Sequence, residues 1–167
     1  MVMKRIFRVW VVLFFGATTV LSLAKGPGGK GAMRGPLPEE QRELINTLAK
    51  NHKKLNRKVT LNDKGYVATT TSGDQKLAEA LKKHFRYMKK RLDSGAMVRR
   101  WDPAYAEMTA HYDKLEVKAE ELKNGLKVTI VGKTPEAVKV AHNHAKIVTS
   151  FVKNGSDEVQ KKHEPAN

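Results

Sequence analysis

Histidine, methionine and carboxylate groups supply the metal-binding chemistry open to this chain of 167 residues, because its sequence contains no cysteine. His84 and His144 are separated by 60 positions, and each lies in a segment with the apolar spacing of a helix. Met88 follows His84 by one helical turn. Imidazole and thioether groups are ligands for copper and for haem iron. The pattern predicts a copper or b-type haem site at His84, His144 and Met88, with His52 and His111 as further candidate ligands.

A packing role for these histidines is the alternative, and the residues leave it open. A metal site normally needs three or four ligands, whereas a helix histidine commonly bonds a carbonyl or a carboxylate. A repeated position can keep a histidine for packing as readily as for ligation. The registers of His52 and His111 differ by one residue, which argues against a symmetric site with four histidines.

A cluster of basic residues, which begins just before His84 and extends towards the second copy of an internal repeat, forms a second candidate site. The chain has 32 Lys+Arg against 17 Asp+Glu, for a formal charge of +15. Such a surface favours an anionic protein, a lipid headgroup or an acidic polysaccharide as the partner, while nucleic acid is a less natural target for an exported protein. A solvated helix face is the ordinary alternative. The cluster comprises Lys82, Lys83, Arg86, Lys89, Lys90, Arg91, Arg99 and Arg100.

Signatures of catalysis are missing from the sequence. There is no Gly-x-Ser-x-Gly, no glycine-rich phosphate loop, no HExxH and no carboxylate pair with acid and base spacing. The lack of cysteine excludes a disulfide framework and thiolate chemistry. We therefore expect a binding protein that is not an enzyme. An interaction module and an accessory subunit of a periplasmic redox protein are the alternatives.

The ends of the chain predict an export signal, a linker and a polar tail. Residues 1–24 combine Lys4, Arg5 and Arg8 with an apolar run and end in Ser22-Leu23-Ala24, as in a signal peptide cut after Ala24. We expect a periplasmic or secreted protein without a membrane span after cleavage. Residues 25–37 form a basic linker rich in glycine and proline. Residues 156–167 are expected to be a polar tail, with a helical turn followed by disorder.

An internal repeat predicts the elements that must position the histidines. Residues 55–95 superpose without a gap on residues 115–155. Each copy predicts strand, tight turn, strand and long helix, with another helix ahead of it. Hairpins are unstable alone, so we expect one α+β domain over residues 38–155, with repeats at 38–95 and 103–155. Its four antiparallel strands would carry the helices mainly on one face. Exchange of hairpins between chains would give a homodimer.

Several short motifs occur at residues 101–105, 111–115, 124–125 and 144–148, followed by Phe151, Val152 and Gly155. They resemble motifs of an uncharacterised family of small exported bacterial proteins. The family motifs have the forms DPxF, HxDKI, NGV and HAxxVxxF, and the similarity spans roughly residues 45–155. The resemblance implies export and a duplicated domain, and it implies no established activity. This chain departs from the family pattern at Ala104-Tyr105 and at Lys133-Thr134-Pro135.

Overall fold

The computed structural model of the chain describes residues 35–166. The signal peptide predicted at 1–24 and residues 25–34 of the predicted linker lie outside the described residues. The first copy contains α1 (Glu39–Lys50), β1 (Leu55–Asn62), β2 (Gly65–Ser72) and α2 (Gln75–Asp93). The second copy contains α3 (Pro103–Ala110), β3 (Leu115–Leu122), β4 (Gly125–Gly132) and α4 (Pro135–Asn154), followed by the short α5 (Ser156–Val159).

The duplicated α+β fold predicted from the sequence is confirmed. All four strands belong to one antiparallel sheet in the order β1-β2-β4-β3. The two hairpins start 60 residues apart, at Leu55 and Leu115, and each has the same length of strands and turn. The helices pack against this sheet, and α2 and α4 follow β2 and β4 at matching positions.

The pairing of β2 with β4 relates the two copies by approximate two-fold symmetry. Ala68 pairs with Val128, which is its own counterpart 60 residues later. Tyr66 pairs with Ile130 and Thr70 pairs with Leu126, so the ladder maps onto itself when the copies are exchanged. An approximate two-fold axis therefore passes between Ala68 and Val128 at the middle of the sheet.

Side-chain alternation along β2 and β4 places the core on one face of the sheet. Tyr66 and Ile130 are each 2% exposed, and Ala68 is 1% exposed. Alanine lines the side of α4 that faces them, with Ala141 completely buried. Small side chains allow the helix to lie close to the strands, so the core is thin over the central pair.

Both long helices begin and end where the sequence predicts. The Asp74 carboxylate accepts hydrogen bonds from the backbone N–H groups of the first turn of α2, and the Thr134 hydroxyl does the same for α4. Gly95 and Gly155 follow the two helices with φ of 72° and 58°. Positive φ favours glycine over any residue with a Cβ, so these two positions end the helices.

The segment after α5 is ordered, so the disorder expected for it is wrong. The carbonyl oxygen of His163 accepts a hydrogen bond from the Ala104 N–H at 3.1 Å, and the Ala166 N–H donates to Glu107 at 2.7 Å. The tail thereby crosses α3, and it reaches α4 where the Glu164 carbonyl oxygen accepts a hydrogen bond from Asn143 at 2.8 Å. The polar composition of the tail suggested disorder because it offers few large apolar groups to bury. Hydrogen bonds to side chains and backbone hold the tail instead.

Within residues 35–166, no helix has the length and apolar character needed to cross a bilayer.

Candidate functional site

His84 and His144 occupy matching places on α2 and α4 but have different surroundings. The Nδ1 atom of His144 lies 2.9 Å from the Tyr66 hydroxyl, with which it shares a hydrogen bond. The Nδ1 atom of His84 is buried and has no hydrogen-bond partner among the described residues. Burial lowers the pKa of each histidine to about 4. Both rings are therefore neutral at physiological pH.

Two of the remaining predicted ligands, His52 and His111, lie at the ends of other elements, while Met88 follows His84 by one turn of α2. His52 Nδ1 lies 2.9 Å from the Val152 carbonyl oxygen, where it ties α4 to the turn before β1. His111 lies at the C-terminal end of α3, and Met88 is half-buried in α2. Among residues 35–166, no group of three or more His, Asp or Glu side chains is arranged to hold a metal ion.

Ion pairs neutralise much of the predicted basic cluster. The Lys82 ammonium lies 2.9 Å from Glu79, and its side chain is only 8% exposed. Arg86 donates to both carboxylate oxygens of Glu121 at 2.5 and 2.6 Å. These charges are satisfied within the fold, as is that of Lys89, which lies 2.7 Å from Asp93.

Two arginines of the cluster are held inside the structure. Arg91 is 4% exposed and donates to backbone carbonyl oxygens. The Arg99 guanidinium stacks 4.3 Å from the centre of the Trp101 ring and pairs with Asp102 at 3.1 Å. The members that are exposed and lack a salt bridge within residues 35–166 are Lys83, Lys90 and Arg100.

A polar cluster that the sequence analysis did not identify surrounds His144. Arg57 on β1 donates from Nη1 to the Thr70 hydroxyl at 2.9 Å and from Nε to the Thr149 hydroxyl at 3.3 Å. The Tyr105 ring, from α3, stands edge-on to His144 with 6.1 Å between ring centres. We call this group the Arg57 cluster. It comprises Arg57, Tyr66, Thr70, Tyr105, His144 and Thr149.

The symmetry-related place in the fold carries different side chains from those of the Arg57 cluster. The position matching Arg57 is Val117, and the position matching Tyr66 is Leu126. Thr70 and Tyr105 correspond to Ile130 and Ile45, so His84 lacks a comparable polar setting. These four matching positions are apolar, while the position matching Thr149 is Lys89, so an arginine stands at one of the two symmetry-related places and a valine at the other. This asymmetry marks the Arg57 cluster as the candidate site.

The electrostatics of the Arg57 cluster are those of a cation without a counterion. Arg57 forms no salt bridge with any carboxylate of residues 35–166. Burial lowers its pKa, which reflects incomplete solvation of the charge. Burial also raises the pKa of Tyr66 to about 12, although the nearby Arg57 charge opposes this. The cluster therefore combines a positive charge with neutral neighbours.

A row of exposed lysines on α4 runs past this cluster. Lys139, Lys146 and Lys153 follow one another at intervals of seven residues, which places them on one side of the helix. Lys146 and Lys153 lie three residues before and four residues after Thr149, the exposed member of the Arg57 cluster. None of the three pairs with a carboxylate of the described residues. We call Lys139, Lys146 and Lys153 the α4 row.

A similar row on α2 lies beside a shallow groove. Lys76, Lys83 and Lys90 are also exposed at intervals of seven residues. The groove has a volume of about 330 Å³ and an apolar floor at Leu44 and Ala80, between α1 and α2. The arginine next to this α2 row, Arg91, is buried and donates to backbone carbonyl oxygens, so the α2 row serves as a natural comparison for the α4 row.

Two signals in the sequence could have identified the Arg57 cluster. Along β1, Leu55, Val59 and Leu61 alternate with polar residues, and Arg57 interrupts the apolar side of that pattern. The repeat gives the other signal, since the position that matches Val117 in the first copy is the charged residue Arg57. The partners on α4 are more than 70 residues away along the chain and have no such signal.

Comparison with known proteins finds no matching family model, no matching curated protein and no matching solved structure. The resemblance to a family of exported bacterial proteins therefore stays a prediction, and the function is argued from the site.

Proposed function

We propose that this protein is an exported, non-enzymatic binding protein that docks an extended acidic polysaccharide along α4. The observation that carries the proposal is the α4 row beside Arg57: four cations, none paired with a carboxylate of residues 35–166. Export rests on the predicted signal peptide, and the mass of the mature protein tests it.

The shape of the α4 row favours an extended chain over a flat surface. Seven residues of helix advance about 10.5 Å, so the three ammonium groups are distributed along about 21 Å. A charged bilayer would contact cations spread over a plane, whereas the row is a single line. A linear polymer with repeated carboxylates can pair with each lysine in turn, and Thr149, which contacts Arg57, lies between the second and third lysines of that line.

Replacing the α4 row with glutamine tests the proposal, and the α2 row provides the matched control. The variants K139Q/K146Q/K153Q and K76Q/K83Q/K90Q remove the same charge from helices of similar length. The probe is polygalacturonate, with affinity measured by calorimetry at several salt concentrations. We expect the α4 variant to bind at least about tenfold more weakly, since three exposed ion pairs contribute up to about 1 kcal/mol each. The α2 variant should bind nearly as the natural protein does.

Other results would contradict the proposal in distinct ways. Equal weakening in both variants would show attraction to net charge without a site on α4. Unchanged binding in the α4 variant would eliminate the row. Preference for vesicles containing phosphatidylglycerol over polygalacturonate, sensitive to both rows, would indicate a membrane surface as the partner.

Metal or haem binding is a second candidate, favoured by one observation at His84. Its Nδ1 atom is buried without a hydrogen-bond partner among residues 35–166, and the lowered pKa keeps the ring neutral, as a ligand must be. Copper analysis and an absorption spectrum of the exported protein test this candidate. Stoichiometric copper or a haem absorption band should disappear in H84A and in H84A/H144A. A colourless protein without metal would leave His84 as a packing residue.

A further inference from the structure

We propose that the Arg57 cluster is a discrete binding site for one carboxylate group, separate from the α4 row. The inference rests on the proposed function in that the carboxylate would belong to one sugar of the docked polymer. This site would fix the register of the polymer on the protein, while the lysines of the α4 row hold the polymer along the helix.

The Arg57 guanidinium is already oriented for this task. Its Nη1 and Nε atoms are held by the Thr70 and Thr149 hydroxyls, which come from β2 and α4. Its Nη2 atom has no hydrogen-bond partner among the described residues, yet it is not among the polar atoms sealed from solvent. A guanidinium presents five N–H donors in a plane, so one edge of the fork remains open to a ligand. The Tyr66 hydroxyl also lies near the guanidinium, where the arginine charge and a side-chain hydrogen bond with Arg57 lower the pKa of Tyr66 against the larger effect of burial.

The chemistry of the surroundings favours an anion at that open edge. A partly buried charge is costly when it is neither fully solvated nor paired. Tyr66 stays protonated and His144 stays neutral, so neither can balance the arginine. Because every Asp and Glu of the chain lies between residues 39 and 164, no acidic side chain outside the described residues can do so.

A single planar arginine fits a carboxylate better than a phosphate. Arginine binds carboxylates through two parallel N–H···O bonds, and one positive charge balances one negative charge. A phosphate monoester carries up to two charges and would need another cation within the cluster. The lysines of the α4 row flank Thr149 on the helix surface, where they can meet the next acidic groups of a chain.

Small probes separate this inference from the proposed function. Monomeric galacturonate and inorganic phosphate would be titrated into isotopically labelled full-length protein, following the Arg57 Nε–H signal and the His144 ring signals by NMR. We expect saturable shifts with galacturonate and smaller ones with phosphate. R57V should abolish these shifts, and it should fold because valine stands at the matching position of the other copy. R57K keeps the charge and should weaken binding about tenfold, since lysine lacks the fork.

The α4 variant distinguishes the two proposals. K139Q/K146Q/K153Q should still bind monomeric galacturonate while losing polygalacturonate. Shifts that persist in R57V, or the absence of shifts at Arg57 and His144, would overturn the proposed carboxylate site. Tighter binding of phosphate would overturn the assignment of the ligand. Polymer binding without any response to the monomer would overturn this inference and leave the proposed function standing; monomer binding without polymer binding would do the reverse.

Discussion

Asp102 and His163 join the segment between the two copies to the C-terminal tail through a contact of 2.7 Å between Oδ2 and Nδ1. The Asp102 side chain is completely buried. The other ring nitrogen of His163 lies 3.1 Å from Glu158, so the imidazole sits between two carboxylates. Arg99 pairs with the same Asp102 oxygen. One acidic side chain thus holds two segments that are about 60 residues apart in sequence.

Removing the Asp102 carboxylate should destabilise the fold. D102A would leave Arg99 and His163 without their shared partner and would also remove a hydrogen bond to the first turn of α3. We expect the free energy of unfolding, measured by urea denaturation, to fall by about 3 kcal/mol. Asp113 is the control, because its ion pair with Lys114 is exposed and D113A should change stability little. Equal effects of the two substitutions would contradict the role given to Asp102.

Leucine substitutions at the two repeated histidines should have opposite effects. H84L removes a buried nitrogen that has no partner within the described residues, so we expect a gain of about 1 kcal/mol in the free energy of unfolding. H144L leaves the buried Tyr66 hydroxyl without its partner and should cost about 1 to 3 kcal/mol. Urea denaturation of both variants at neutral pH measures the difference. Losses of equal size would show that the two histidines are equivalent.

Acid should weaken the fold through the same two histidines. Burial lowers their pKa values from 6.5 to about 4 in the folded protein. Between these values the unfolded chain binds more protons than the folded one, so stability rises with pH. The contribution is complete above about pH 6.5 and is lost as the pH falls towards 4. Urea midpoints compared at pH 7 and pH 4.5 should differ less in H84L/H144L than in the natural protein. An unaltered pH dependence in that variant would refute this origin.

The glycines that end the two long helices should differ in their tolerance of alanine. Both have positive φ, so each substitution carries a backbone cost of about 1 kcal/mol. A Cβ at Gly95 would meet no atom within 4 Å, whereas one at Gly155 would overlap the His52 ring and the Ala49 carbonyl oxygen. G155A should therefore lower the thermal midpoint clearly more than G95A. Equal shifts would indicate that His52 moves aside without cost.

Most of the fold could be predicted because its signals are local and occur twice. The turn glycines, the caps at Asp74 and Thr134 and the alternation in β2 and β4 act within a few residues. The order of the strands could not be read from the chain, since it depends on which hairpin edges meet. The ordered tail was missed because its contacts depend on the buried Asp102, whose role as a helix cap already explained its presence.

The candidate site was only partly predictable. His144 was identified through the repeat, but the partner that distinguishes it from His84 is Tyr66, 78 residues earlier in the chain. Arg57 meets Thr149 across 92 residues. Charge counting could not show that Arg86 and Lys82 are paired with carboxylates in the folded chain, and the basic cluster stays a prediction as a binding surface.

The self-matching register of β2 and β4 has a consequence for the origin of this fold. Since Ala68 faces its own counterpart Val128, two separate copies of one half could build the same sheet as a homodimer. Covalent fusion of such a dimer frees each half from the sequence of the other. A substitution can then change one half alone, as the difference between Arg57 and the matching Val117 illustrates. A symmetric assembly can in this way acquire a single binding site on one side without any change of architecture.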